Sequence, residues 1–100
     1  MIVAFKIKIT FPDGKVWLYS IYDAVVQVVD FYEFEKVFNW KPRMRDENFL
    51  LKHVPYGQDK MYREIRSGQY FRCNVSYKDH LNILRMINIH FGNKLKIELQ

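Results

Sequence analysis

The first twenty residues constrain the fold more than any other part of the chain. From Ile2 to Thr10, Val3, Phe5, Ile7 and Ile9 share one side of an extended backbone, and Lys6, Lys8 and Thr10 share the other. Period two means a strand with one buried face. Pro12-Asp13-Gly14 follows, where proline presets φ for the first turn position and glycine accepts positive φ. Residues 15–20 then set Val16 and Leu18 against Trp17 and Tyr19. The pattern predicts a β-hairpin.

Ser20 and Asp23 have the spacing of a helix cap, and the spacing predicts a helix over 21–39. Val25, Val26, Val28 and Val29 favour strands through their stiff side chains. However, Gln27, Asp30, Glu33 and Lys36 recur every three residues, and one strand of this length would be too long. Pro42 stops the helix, because the residue before proline avoids the α region. Residues 40–58 are the least regular. Within them Phe49-Leu50-Leu51 predicts a short strand, and Pro55-Tyr56-Gly57 a turn. Asp59 is placed to cap a short helix running through Arg66 and ended by Gly68.

The last third is more regular. Tyr70 to Tyr77 reads as a strand, with Phe71, Cys73 and Val75 on one face. Ser76 and Asp79 repeat the capping spacing, and a helix over 78–91 follows, with Ile83, Leu84, Ile87 and Phe91 along its apolar stripe. Gly92-Asn93 stops it, and Lys94 to Gln100 alternates again with Leu95, Ile97 and Leu99 inward. Strand, helix, strand reads as a βαβ unit with a right-handed crossover. The expectation is a single α+β domain over residues 1–100. It has an N-terminal hairpin, a central helix, an irregular basic segment and a C-terminal strand-helix-strand. One four- or five-stranded sheet would carry the helices on one face.

Composition narrows the chemistry. Apolar residues make up 49% of the chain and aromatics 17%, enough for a packed core with rings left over for a surface. Cys73 is the only cysteine, which excludes an internal disulfide and a four-cysteine zinc site and fits a reducing compartment. The N-terminal alternation is not the apolar block of an export signal, and no apolar run approaches the ~18 residues of a membrane span. A cytoplasmic protein without a membrane partner is expected. No glycine-rich phosphate loop is present, so no nucleotide or other small-molecule cofactor is expected. His80 and His90 lie some 15 Å apart along a helix and cannot share an ion, so no metal site is expected either.

The charge is uneven. The formal total is +5, and residues 41–72 carry eight basic and four acidic side chains. Lys41, Arg43 and Arg45 follow Trp40, and Lys52 and His53 follow Leu51. On the predicted helix Lys60, Arg63 and Arg66 lie along one side with Tyr62, and Tyr56, Tyr70 and Arg72 are close in sequence. Cations neutralise phosphates and aromatic faces stack on unpaired bases. The leading expectation is therefore a non-enzymatic protein that binds nucleic acid through these thirteen residues. The competing structural reading is a solvated surface whose cations pair with Asp46, Glu47, Asp59 and Glu64.

A second expectation is a protein-binding module, either a small inhibitor of a partner or host protein or a homo-oligomeric subunit. The surplus of aromatics motivates it. The high Ile, Lys, Asn and Tyr content resembles small proteins of viruses and mobile elements. A third is a metal-independent ribonuclease in which His53 moves protons beside arginines. No second acid-base partner accompanies His53, and no catalytic residue is assigned.

Overall fold

The computed structural model describes residues 6–40 and 49–100. The hairpin is present as β1 (Ile7–Thr10) and β2 (Val16–Tyr19), paired antiparallel with Ile9 opposite Trp17. The Gly14 N–H donates to the Phe11 carbonyl, Gly14 sits at φ 89°, and the Phe11 N–H closes on the Lys15 carbonyl at 2.8 Å. This is a type I turn followed by a glycine bulge, which is why the Pro-Asp-Gly order is needed.

Helix α1 (Ile21–Tyr32) starts where the cap predicts, with the Asp23 N–H donating to Ser20 Oγ at 3.2 Å. It does not continue to residue 39. Glu33 takes φ 72°, and a second helix, α2 (Phe34–Trp40), begins at once. The side-chain phase explains the break. The buried stripe of α1 is Val25, Val28, Val29 and Tyr32. At ~100° per residue an unbroken helix would bring Lys36 onto that stripe and turn Phe34 to the opposite side. The break resets the phase, so that Phe34 and Val37 are buried while Glu35 and Lys36 face water.

Strand β3 (Leu50–Leu51) is the predicted short strand. The predicted helix from Asp59 to Arg66 is absent. One turn of 3-10 helix (Asp59–Met61) leads into β4 (Tyr62–Arg66), which turns at Ser67-Gly68 and pairs antiparallel with β5 (Gln69–Arg72). Gly68 lies at φ 75° in the two-residue loop, so the glycine that reads as a helix stop makes a hairpin turn. Ile65 is the extra residue of a bulge between Glu64 and Arg66.

Helix α3 (Tyr77–His90) begins on the second predicted cap, with the Asp79 N–H donating to Ser76 Oγ at 3.1 Å. It ends on Gly92 and Asn93, both at positive φ. Strand β6 (Lys96–Leu99) then pairs antiparallel with β1, not with β5. The expected single sheet is therefore two three-stranded sheets. Sheet A has the order β2-β1-β6 and sheet B the order β3-β5-β4. All their pairings are antiparallel, so α3 links two sheets and no βαβ crossover forms.

One core joins the sheets. Ile7, Ile9 and Ile97 of sheet A, Leu50 and Phe71 of sheet B, and Leu84 and Ile87 of α3 meet around Val25, Val28 and Val29 of α1. The Cα radius of gyration is 13.3 Å, close to the ~13 Å of a compact chain of this length. A buried polar knot locks the end of α3 to β6. Asn88 Oδ1 accepts from the Tyr32 hydroxyl and from the Leu95 N–H, and its Nδ2 donates to Asn93 Oδ1 and the Leu95 carbonyl. The Tyr32 hydroxyl in turn accepts from the Lys94 N–H at 3.0 Å. Every hydrogen-bonding position of the buried amide is filled, as burial requires.

Candidate binding surfaces

Sheet B and its flanks carry the described part of the basic segment, and the fold divides it between faces. Lys41, Arg43 and Arg45 lie outside the described residues. Residues opposite one another in a ladder share a face, so Arg63 lies on the Phe71 side of sheet B, with Tyr62, Tyr70 and Arg72 on the other. The Arg63 guanidinium sits 4.3 Å from the centroid of the Tyr22 ring of α1. After the bulge, Arg66 reaches Asp30 of α1 at 2.7 Å. Lys52 bonds Glu35 of α2 at 3.0 Å and lies 4.6 Å from the centroid of the Phe38 ring. Arg72 Nε donates to Asn74 Oδ1 at 2.9 Å. Both ion pairs lie at the surface, with Asp30 half-buried, and are worth about 0–1 kcal/mol each. Both pairs use acids of α1 and α2 that lie far away in sequence.

The aromatic half of the predicted site is dispersed as well. Tyr62 is buried and Tyr70 half-buried. Trp40 is half-buried and stacks on His90 with ring centroids 4.4 Å apart, while Phe91 meets it edge-on. Tyr56 alone stands fully in solvent, on the loop between β3 and the 3-10 turn. His53, Tyr56 and Asp59 line one shallow groove of about 490 Å³ on that loop. Lys60 follows it, exposed and without an ion pair among the described residues. No group of three metal-ligating side chains occurs among the described residues, and no helix there is long and apolar enough to cross a membrane.

His80 is the one histidine the fold buries. Its ring packs edge-on to Tyr22, Phe49 and Phe71, and its Nε2 lies 2.9 Å from the Arg72 carbonyl. A carbonyl only accepts, so Nε2 carries the proton and the ring ties α3 to β5. Burial pushes its pKa below the usual histidine value, against the opposing pull of the Arg72 carbonyl and the Asp79 carboxylate.

The surface that the charge count does not point to is the free edge of sheet A. Val16, Trp17 and Leu18 of β2 are 48%, 57% and 55% exposed, three consecutive large apolar residues. Hydrogen-bonded and non-bonded pairs alternate along an antiparallel ladder. Because Phe11 bonds Lys15, the next bonded pairs are Ile9 with Trp17 and Ile7 with Tyr19. The N–H and C=O groups of Val16 and Leu18 therefore point away from β1, to the open edge. Beneath that edge, Trp17, Tyr19, Phe11, Phe31 and Gln27 line a groove of about 460 Å³. The sequence signal for this surface is the absence of any charge in Val16-Trp17-Leu18-Tyr19, since edge strands ordinarily carry one.

Comparison with family models, with curated proteins and with solved structures finds no match for this chain.

Proposed function

We propose that this protein is a non-enzymatic protein-binding module that receives an extended segment of its partner as a fourth strand on β2. The observation that carries the reading is the uncharged, uncovered edge at Val16, Trp17 and Leu18. Strand addition needs outward-facing main-chain groups for affinity and pockets for alternate side chains for specificity. Val16 and Leu18 supply the first. The groove beneath Trp17 and Tyr19 supplies the second.

Selection from a displayed peptide library against the whole protein tests it. The enriched peptides are expected to alternate apolar residues, and Leu18→Lys is expected to weaken them at least 30-fold without loss of fold. Val16→Pro removes one outward N–H at the first strand position, where proline is tolerated, and weakens them further. Peptides that bind wild type and both variants equally would show that β2 is not the receiving edge.

Nucleic-acid binding is a second reading, favoured by the fully exposed ring of Tyr56 with His53 on the same loop and Lys60 in the 3-10 turn that follows. Lys41, Arg43 and Arg45 would add the phosphate contacts. It expects oligonucleotide affinity that falls with salt, by roughly one unit of log–log slope per phosphate contact, and a loss of affinity on Tyr56→Ala. No binding at 50 mM salt removes this reading.

A further inference from the structure

Of the cations behind the net charge of +5, Lys52 and Arg66 are paired with acids of α2 and α1, and part of the remaining positive charge lies away from sheet B. Two cations without an ion pair among the described residues, Arg85 and Lys94, line one groove between α3 and the end of sheet A, together with Lys96. The groove is about 500 Å³, and no carboxylate among the described residues lines it. Glu98, the nearest acid in the strand, reaches Lys96 only at 3.7 Å. Apolar surface contributes to the same lining, including Phe11 and Ile89, and Ile89 is 69% exposed on α3. Three of the last four carbonyls of α3, which would repel an anion, accept hydrogen bonds. Phe91, Gly92 and Asn93 donate their N–H groups to Ile87, Ile89 and Asn88.

We infer that this groove binds an acidic peptide segment of a partner protein, one whose carboxylates flank an apolar side chain. Charge complementarity selects the sign of the ligand, and the apolar floor selects its class. A peptide can place a leucine or phenylalanine on Ile89 and Phe11 while its carboxylates meet Arg85, Lys94 and Lys96. A nucleic acid gains little from that floor, because bases stack on open ring faces. The Phe11 ring is half-buried and packed against Phe31, with centroids 6.0 Å apart. The inference does not depend on strand addition at β2, whose groove shares only Phe11 with this one.

The test uses the whole protein and a fluorescein-labelled octapeptide of glutamates interrupted by two leucines. Controls are the same peptide with serine for leucine, and a single-stranded oligothymidylate of eight nucleotides. Anisotropy is expected to show saturable binding of the leucine peptide that weakens as salt rises, as exposed charge pairs are screened. Arg85→Glu is expected to cost about tenfold, and Arg85→Glu with Lys94→Glu about a hundredfold. Ile89→Ser should cost roughly fivefold for the leucine peptide and nothing for the serine peptide. Leu18→Lys should change nothing here, which separates this site from the β2 edge. Failure of the leucine peptide to bind, or binding indifferent to the charge reversals, overturns the inference. So does oligothymidylate binding more tightly than the leucine peptide with Ile89→Ser silent, which would mark a general polyanion surface.

Discussion

The two sheets dispose of their exposed side chains in opposite ways. Sheet B and the residues beside it hold the described cations of the basic segment, yet α1 and α2 hold three of them, at Asp30, Glu35 and the Tyr22 ring. Sheet A carries no charge along β2 and leaves Val16, Trp17 and Leu18 in water. Its opposite edge, β6, alternates Lys96 and Glu98 with Ile97 and Leu99, the charged pattern that keeps an edge from pairing with a neighbour. Charge counted along a chain is thus a poor guide to charge available on a surface, because acids far away in sequence can neutralise it. An uncharged edge strand has no equivalent way to be hidden, unless another element covers it.

If sheet A is the working surface, its closed side must be rigid, and the largest expected effect lies there. Asn88 makes four hydrogen bonds, two of which fasten α3 to Leu95 at the entry of β6, with one to Tyr32 of α1 and one to Asn93. Asn88→Ala should leave the Tyr32 hydroxyl and the Leu95 main chain without these partners. Each orphaned buried group costs about 1–3 kcal/mol, and the expected total is about 3 kcal/mol by urea denaturation. Amide exchange should accelerate first over residues 94–99, with β4 and β5 less affected. Uniform acceleration through both sheets would mean that the knot serves the whole core, and the contrast between the sheets would lose its mechanical side.

Sheet B offers a smaller lever. His80 of α3 is buried against β5, and burial pushes its pKa below the usual histidine value of 6.5. The unfolded chain therefore takes up a proton at a higher pH than the folded one. The stability from neutral His80 is complete above pH 6.5. It is lost as the pH falls from 6.5 toward the lowered folded value, at up to about 1.4 kcal/mol per pH unit for one proton. Urea midpoints at pH 7.5 and 5.5 should diverge in the wild type and converge in His80→Gln, which keeps a donor for the Arg72 carbonyl. An equal pH dependence in the variant would assign the effect to another group.

What the sequence discloses follows the range of the interactions involved. The hairpin at Pro12-Asp13-Gly14 and the caps at Ser20 and Ser76 are legible because each is settled within four residues. The pairing of β6 with β1 joins residues nearly ninety positions apart, and alternation in each strand is compatible with several partners. Tyr62 to Arg66 reads as helix or strand according to whether Ser67-Gly68 ends a helix or turns a hairpin, and pairing with β5 decides it. The candidate surface followed the same rule. The basic segment is visible in composition, but its neutralisation by Asp30 and Glu35 is tertiary. The absence of charge in β2 is visible too, though it becomes informative only once β2 is known to be an edge.

The smallest expected effect concerns the hand-over between the sheets. α1 packs on sheet A and α2 carries the acid that holds Lys52 beside sheet B, and Glu33 sits between them at φ 72°. A side chain held at positive φ costs about 1–3 kcal/mol, and glycine removes that strain while adding about 0.5–1 kcal/mol of backbone entropy to the unfolded chain. Losing the exposed Glu33–Lys36 pair subtracts at most about 0.5 kcal/mol. Glu33→Gly should therefore stabilise the protein by about 0.5–1 kcal/mol, whereas Glu33→Ala, which keeps the strain and loses the pair, should be neutral or slightly destabilising. The two variants differ in one methyl group on an exposed residue, so a difference of that sign isolates the backbone. If alanine proves the more stable, residues 32–34 continue as helix in solution. Lys36 would then turn onto the buried stripe of α1, and α2 could not present Glu35 to Lys52.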